Sequence, residues 1–412
     1  LTLAVCVLWL LCASIARRDY VEALRESLVQ TGGDDDADRE AEAVVLNDVT
    51  TLEALVELLT DGDWEVRIEA ARALQEIEEP LYQQHLVTLL YDADSRVARE
   101  AITAVARRVR QPKASPLYIP ILISLLRDRR LKHDAREALI AYGENVISAL
   151  IHFMNDTQEQ IWVRRALPKT LVRLGTPSAQ SALVECLDAE DLFLRRKVVE
   201  ALVGLGRELE PELRPRVQAN VETECRCYLA TLLQLLGITS SDSIDIVMAR
   251  IEWRPGFEPS LLQRLLAERM EGHLDNLFDL LSLLSERAEF SAVRQQLQGG
   301  RRSHALEYLD SVLPPGVRRS VLTVIDDLPL AERLREARRG LELEVRPRVE
   351  TLRDLMRAFS PGDETSPWIA AAAIQTICLD REELLYDEIE RCCQGEEVHA
   401  LVRETAQWLS LI

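Results

Sequence analysis

Aromatic residues make up only 5% of the 412-residue chain, and no alternation of Val, Ile and Thr runs long enough to build a strand. The economical reading is an all-helical chain, rich in Leu, Ala, Glu and Arg and 47% hydrophobic. Lysine is nearly absent: of 49 basic residues only Lys113, Lys132, Lys169 and Lys197 are Lys, a bias that a GC-rich coding sequence produces. Basic charge is also outnumbered. The 69 acidic residues leave a net charge of −20, which repels phosphate and argues against a nucleic-acid partner.

The apparatus of catalysis is missing as well. The eight cysteines include Cys225-Arg226-Cys227 and Cys392-Cys393, but neither pair has the two-residue spacer of a zinc or redox site, and Cys6 and Cys12 sit in an apolar run. They read as buried thiols in a reducing compartment. The six histidines (His85, His133, His152, His273, His304, His399) are scattered without an H-E-x-x-H or comparable cluster. Gly299-Gly300-Arg301-Arg302 is the nearest approach to a phosphate-binding loop, and it reads as an inter-helix connection. No catalytic residue, metal ligand or cofactor-binding residue is assigned, so no cofactor is expected.

What the chain does contain is repetition. ALVELLTDGDWEVRIEAARAL at Ala54 to Leu74 and ALVECLDAEDLFLRRKVVEAL at Ala182 to Leu202 align without a gap at an offset of 128 residues. The match pairs Leu55 with Leu183, Asp63 with Asp191 and Arg67 with Arg195. Weaker copies fall between them, starting at Leu86, Leu122 and Leu150, and the aspartates that close the first helix of each copy (Asp61, Asp92, Asp128, Asp156, Asp188) are 31, 36, 28 and 32 residues apart. Each unit reads as two short helices. Leu52, Leu55 and Leu59 stripe the first; Val66, Ala70, Ala73, Leu74 and Ile77 stripe the second. Two such helices cannot bury both apolar faces alone, so neighbouring units must stack into an α-solenoid. Asp63 and Asp191 stand where an N-cap belongs. Arg67 and Arg195, one turn further on, can reach a carboxylate of their own or the adjacent turn, so these four residues read as a structural ladder.

The D-x-D-x-x-V-R-x-x-A core at Asp61 to Ala70 resembles HEAT repeats, with departures at Ala98, where Arg67 would recur, and around His133. The resemblance implies an armadillo-type stack of antiparallel helix pairs whose second helices face partners. Arg164, Arg165, Arg195, Arg196 and Lys197 lie on second helices of successive units and form the candidate partner-binding patch.

The N-terminus differs from the rest. Residues 1–16, LTLAVCVLWLLCASIA, are apolar and uncharged, and Arg17-Arg18 follow. Sixteen helical residues span about 24 Å against a bilayer core of about 30 Å, which reads as the end of a truncated transmembrane helix. A signal peptide cleaved after Ala13-Ser14-Ile15-Ala16 is the competing reading, against which stand the absent basic n-region and the basic pair on the wrong side. The basic pair then places the remainder of the chain in the cytoplasm. Residues 17–31 read as a juxtamembrane amphipathic helix, 32–43 as an acidic linker, 44–237 as regular repeats and 238–412 as less regular helical repeats punctuated by proline; Pro168 should kink its helix. An apolar helix running into ARRDYVEALRESL, then HEAT units, resembles bacterial proteins that fuse an ATP/ADP-translocase-like nucleotide transporter of the major-facilitator type to a HEAT array. RRALPKTLVRLGTPSAQSAL from Arg164, HALEYLDSVLPPGVRRSVLTVIDD from His304, SPWIAAAAIQTI and LVRETAQWLSLI are similar to that family's solenoid. The resemblance implies a non-catalytic scaffold on the cytoplasmic side of a bacterial inner membrane. Its partner is then a protein, with the absent transporter and cyclic-nucleotide-binding domains as candidates. A bilin-lyase-type repeat protein, which also holds Asp and Arg in such turns, is the alternative.

Overall fold

The computed structural model describes residues 18–26, 49–73, 85–109, 115–239, 259–285, 290–298, 302–325, 346–358, 363, 365–394 and 398–409, and among them every regular element is helical. The apolar segment 1–16, the linker 32–43, and Leu74 and Ile77 of the expected stripe lie outside the described residues. No described helix is long and apolar enough to cross a membrane.

The chain divides into two compact units, Leu1–Leu150 and Ile151–Ile412. In the first, a helix over 18–26 (α1) precedes α2 (Val49–Leu58), α3 (Trp64–Ala73), α4 (His85–Leu90), α5 (Ser95–Val109), α6 (Ile119–Leu125) and α7 (Lys132–Ala141); α8 (Ile147–Asn155) carries the division. Each first helix packs on its own second helix, α2 on α3, α4 on α5 and α6 on α7, while the second helices pack on one another in the order α3, α5, α7. Small residues permit this approach. Ala70 and Ala71 of α3, Ala98 and Ala101 of α5, and Ala135 and Ala138 of α7 are all fully buried. Ala98, the departure from the Arg pattern, therefore belongs to the core, and Arg99 beside it makes the polar contact to the next unit, donating to Asp134 at 2.9 Å.

In the second unit, α9 (Ile161–Ala166), α10 (Pro168–Leu174), α11 (Pro177–Glu185) and α12 (Leu192–Gly204) continue the pairing. Pro168 interrupts the second helix: α9 stops at Ala166 and α10 starts with the proline in its first turn, where a missing N–H costs nothing, while Leu167 between them keeps helical dihedrals at φ −68° and ψ −41°. Gly175 then closes α10 in the left-handed conformation at φ 66°. The positions that match at the 128-residue offset are equivalent in burial, with Leu55 and Leu183, Val66 and Leu194, and Ala70 and Val198 all at 0% exposure.

Regular spacing then gives way to two long helices, α13 (Arg214–Ile238, 25 residues) and α14 (Leu261–Leu284, 24 residues), which make the most extensive helix pair of the unit. The remaining helices are α15 (Phe290–Gln298), α16 (Arg302–Val312), α17 (Pro315–Ile325), α18 (Arg348–Arg357), α19 (Thr365–Asp380), α20 (Tyr386–Gln394) and α21 (Ala400–Leu409). Helix α14 packs on α12, α13 and α19, and α13 on α17 and α18 as well. Contacts here reach beyond the nearest neighbour, so cooperativity is not confined to adjacent repeats.

Candidate functional site: the starts of the second helices

Four of the five inter-helix turns are built around their aspartates, while Asp188 accepts from Arg216 and Asn220 of α13. A side-chain oxygen of Asp61, Asp92, Asp128 and Asp156 accepts the backbone N–H two residues on, from Asp63, Asp94, Arg130 and Gln158, at 2.7–2.9 Å. Asp63 then accepts from Glu65 N at 3.0 Å and caps α3. Asp191 caps α12 by accepting from Leu194 N at 2.5 Å, which puts Asp63 and Asp191 at equivalent helix starts.

The arginines connect these turns. Arg67 grips Asp92 of the next turn with Nε at 2.8 Å and a second nitrogen at 3.0 Å, and donates to its own turn through Asp61 O at 2.8 Å. That bidentate bond to Asp92 holds the guanidinium above its ordinary pKa, although burial works against it. Arg25 Nε stands 3.1 Å from Asp61 one turn earlier. Arg195 repeats the Arg67 geometry at Ala189 O, at 2.7 Å, but its other bond goes to Glu224 at 2.6 Å. The residue 128 positions after Asp92 is Asn220, so the carboxylate has moved one turn along α13.

Glu224 thereby becomes the centre of a buried polar cluster. His273 Nδ1 lies 2.6 Å from one of its oxygens, and Asn276 Nδ2 donates to the other at 3.2 Å. Burial pushes the Glu224 carboxyl up, but hydrogen bonding from His273 and the charge of Arg195 outweigh it and hold the group below its usual value of 4.5. Burial pushes His273 below its usual 6.5, more than Glu224 raises it. The consistent state is an ionised Glu224 facing a neutral imidazole whose proton sits on Nδ1. Asn276 Oδ1 has no hydrogen-bond partner among the described residues.

Both shifts carry the same sign for stability. As pH falls through about 6.5 the unfolded chain takes up a proton that folded His273 refuses, and below about 4.5 the same holds for Glu224. The cluster's contribution is therefore whole above pH 6.5 and is lost progressively on acidification. A series of thermal melts from about pH 7.5 to 4 is expected to show a falling Tm, with the upper part of that fall flattened in His273→Gln. An equal pH profile in the variant would show that other groups set the acid limit.

The five basic residues 164, 165, 195, 196 and 197 do not form one open patch. Arg164 is buried and donates to Met154 O at 2.9 Å, and Arg195 is buried on Glu224. Arg165 is bound through two nitrogens to Asp191, at 3.1 and 2.7 Å. Arg196 pairs with Glu200 and Asp275, and Lys197 with Glu200 at 2.6 Å. The reason is periodicity: successive second-helix positions point in different directions around a 3.6-residue turn, so a run of adjacent basic residues cannot share a face.

Sequence reasoning passed over the aromatic residues at these helix starts. Trp162 and Phe193 are the second residues of α9 and α12, and they remain 67% and 46% exposed. The Arg165 guanidinium lies 5.6 Å from the Trp162 ring centre and 5.0 Å from that of Phe193. In the first unit, Trp64 opens α3, and Arg96 of the following second helix stacks over its ring at 3.5 Å. The available signal was an aromatic residue one or two positions after a helix-start residue, in a chain where aromatics are scarce.

The cysteines and histidines assemble no reactive centre among the described residues, and no group of three or more metal-binding side chains occurs there. Burial pushes the Cys186 thiol up to about 12 and Cys225 higher still.

The HEAT-repeat family model matches residues 21–107 and 52–142. The match covers less than a third of the chain, whose described residues form an all-α helical-repeat array. Among solved structures, one engineered protein is 24% identical over 46% of this chain and 91% of its own, with a TM-score of 0.30. A second engineered protein is 19% identical over 96% of this chain and 95% of its own, with a TM-score of 0.28. Importin beta is 15% identical over 96% of this chain and 62% of its own, with a TM-score of 0.29. No curated protein matches.

Proposed function

We propose that the chain is a non-catalytic helical-repeat scaffold that holds a protein partner along the starts of its second helices. The observation that carries this reading is the exposure of Trp162 and Phe193 at equivalent places on successive second helices, fixed by a turn architecture that consumes the surrounding arginines. Exposed aromatic side chains on rigid elements are typical of the central residues of protein interfaces. The apolar run 1–16 followed by Arg17-Arg18 supports a setting at a membrane, as the cytoplasmic part of a transporter-like protein of the bacterial inner membrane.

Two measurements test the two parts. A photo-crosslinking residue at Trp162 is expected to trap a discrete protein species in cells, whereas one at exposed Lys169 is not; labelling at neither site, or equal labelling at both, removes the scaffold reading. The full chain is expected to stay with membranes through salt and alkali and to be released by detergent. Release by salt alone would remove the membrane setting and leave the scaffold.

A further inference from the structure

We infer that the edge formed by Trp162 and Phe193 recognises an arginine-bearing segment of a protein partner. This deepens the scaffold reading and rests on it. The chain itself displays the chemistry. At the start of α3, where Trp64 stands one position earlier in its helix than Trp162 and Phe193 do in theirs, Arg96 lies 3.5 Å over the Trp64 ring and is held there by two bonds to Asp94, at 3.0 and 2.7 Å. At that helix start a Trp beside a carboxylate is covered by a guanidinium from the chain itself. At Trp162 the chain's own guanidinium stands farther off, with Arg165 5.6 Å from the ring centre. Arg165 sits near both rings, but it is pinned to buried Asp191 and is itself mostly covered, so it cannot swing out over the outer faces.

The charge around the rings has the matching sign. Asp156 and Glu159 lead into Trp162, and Glu190 precedes the cap of Phe193's helix. Of the cations on the same two helices, Arg164 is buried against Met154 O and Arg165 is on Asp191, while Arg196 and Lys197, a turn beyond Phe193, are both paired with Glu200. A partner guanidinium stacked on the exposed Trp162 face meets ring and carboxylates together, the combination that favours Arg over a neutral side chain. The net charge of −20 draws a basic partner in and disfavours an anionic membrane surface. Phe193 offers apolar area to the partner residue beside the arginine.

The test uses the full chain and a short fluorescein-labelled peptide of alternating Arg and Leu, with versions carrying Lys or Glu in place of Arg. Anisotropy is expected to show binding in the order Arg, then Lys, with none for Glu. The double variant Trp162→Ala, Phe193→Ala should weaken the Arg peptide by about tenfold or more, and Trp162→Leu, which keeps apolar area but removes the ring, by an intermediate factor. Both side chains are largely exposed, and an unchanged melt verifies that the variants fold. Equal affinity in wild type and double variant overturns the inference. So does self-association, read by sedimentation, that the double variant abolishes, or binding to phosphatidylcholine vesicles that it abolishes. If the crosslinker at Trp162 traps a partner that the Arg peptide does not displace, the scaffold reading stands and the arginine assignment falls.

Discussion

Replacing Glu224 by Ala is expected to lower the stability of the chain by about 3–5 kcal/mol, the cost of leaving a buried charge without its partner. Glu224 is 1% exposed and is bound at once by Arg195, His273 and Asn276, which come from α12 and α14. Its removal leaves the Arg195 guanidinium, itself buried, bonded to Ala189 O but facing an imidazole with no carboxylate to answer its charge. For a unit of this size the loss corresponds to a drop in Tm of roughly 10 °C. Glu224→Gln retains the shape and some hydrogen bonding and is expected to lose less. A triple change of Arg195, Glu224 and His273 to Met, Leu and Leu should recover much of the loss, because well-packed apolar groups often match a buried ion cluster. A Glu224→Ala protein that melts within a degree or two of wild type would mean that water reaches the cluster and that no charge is stranded.

The second large effect is expected at Asp191. Its carboxylate caps α12 and takes both bonds from Arg165, with 0% of the residue exposed. Asp191→Ala should cost about 3 kcal/mol or more, of which the cap is about 1 and the rest is the lost bidentate charge pair with Arg165. Asp191→Asn can still cap and should fall between. Arg67→Ala offers the internal comparison. Its pair with Asp92 is bidentate but more open, at 15% and 11% side-chain exposure, so water replaces part of what is lost and the cost should be nearer 1–2 kcal/mol. Chemical denaturation of the three variants checks the order. Arg67→Ala proving the most damaging would mean that the turns, not the buried pairs, hold the units.

How far the structure was legible in the residues depends on the range of the forces involved. The helix pairs, the aspartates that close the first helices, and the helix starts at Asp63 and Asp191 depend on residues a few positions apart, and a repeated pattern reports them directly. Pro168 announced an interruption for the same local reason, although whether a helix bends or breaks depends on what packs around it. The candidate patch misled because adjacency in sequence was read as adjacency on a surface. Arg164 and Arg195 turn inward, and Arg165 is consumed by a carboxylate 26 residues away.

An all-α array of stacked helix pairs with aspartate-closed turns is written in the residues alone, because a 3.6-residue apolar period and capping chemistry are local and recur. Where the ladder changes its partner is set by packing between distant helices. Asn220 stands where the repeat calls for Asp, and no local rule says that Glu224, one turn later, will meet Arg195 from one helix and His273 from another. Those contacts span 29 and 49 residues and exist because two long helices replace the short pair, bringing α14 against both α12 and α13. The exposure of Trp162 and Phe193 was likewise a tertiary decision. A large aromatic residue reads as core until the packing of its neighbours shows that the core is closed by alanine, valine and leucine without it.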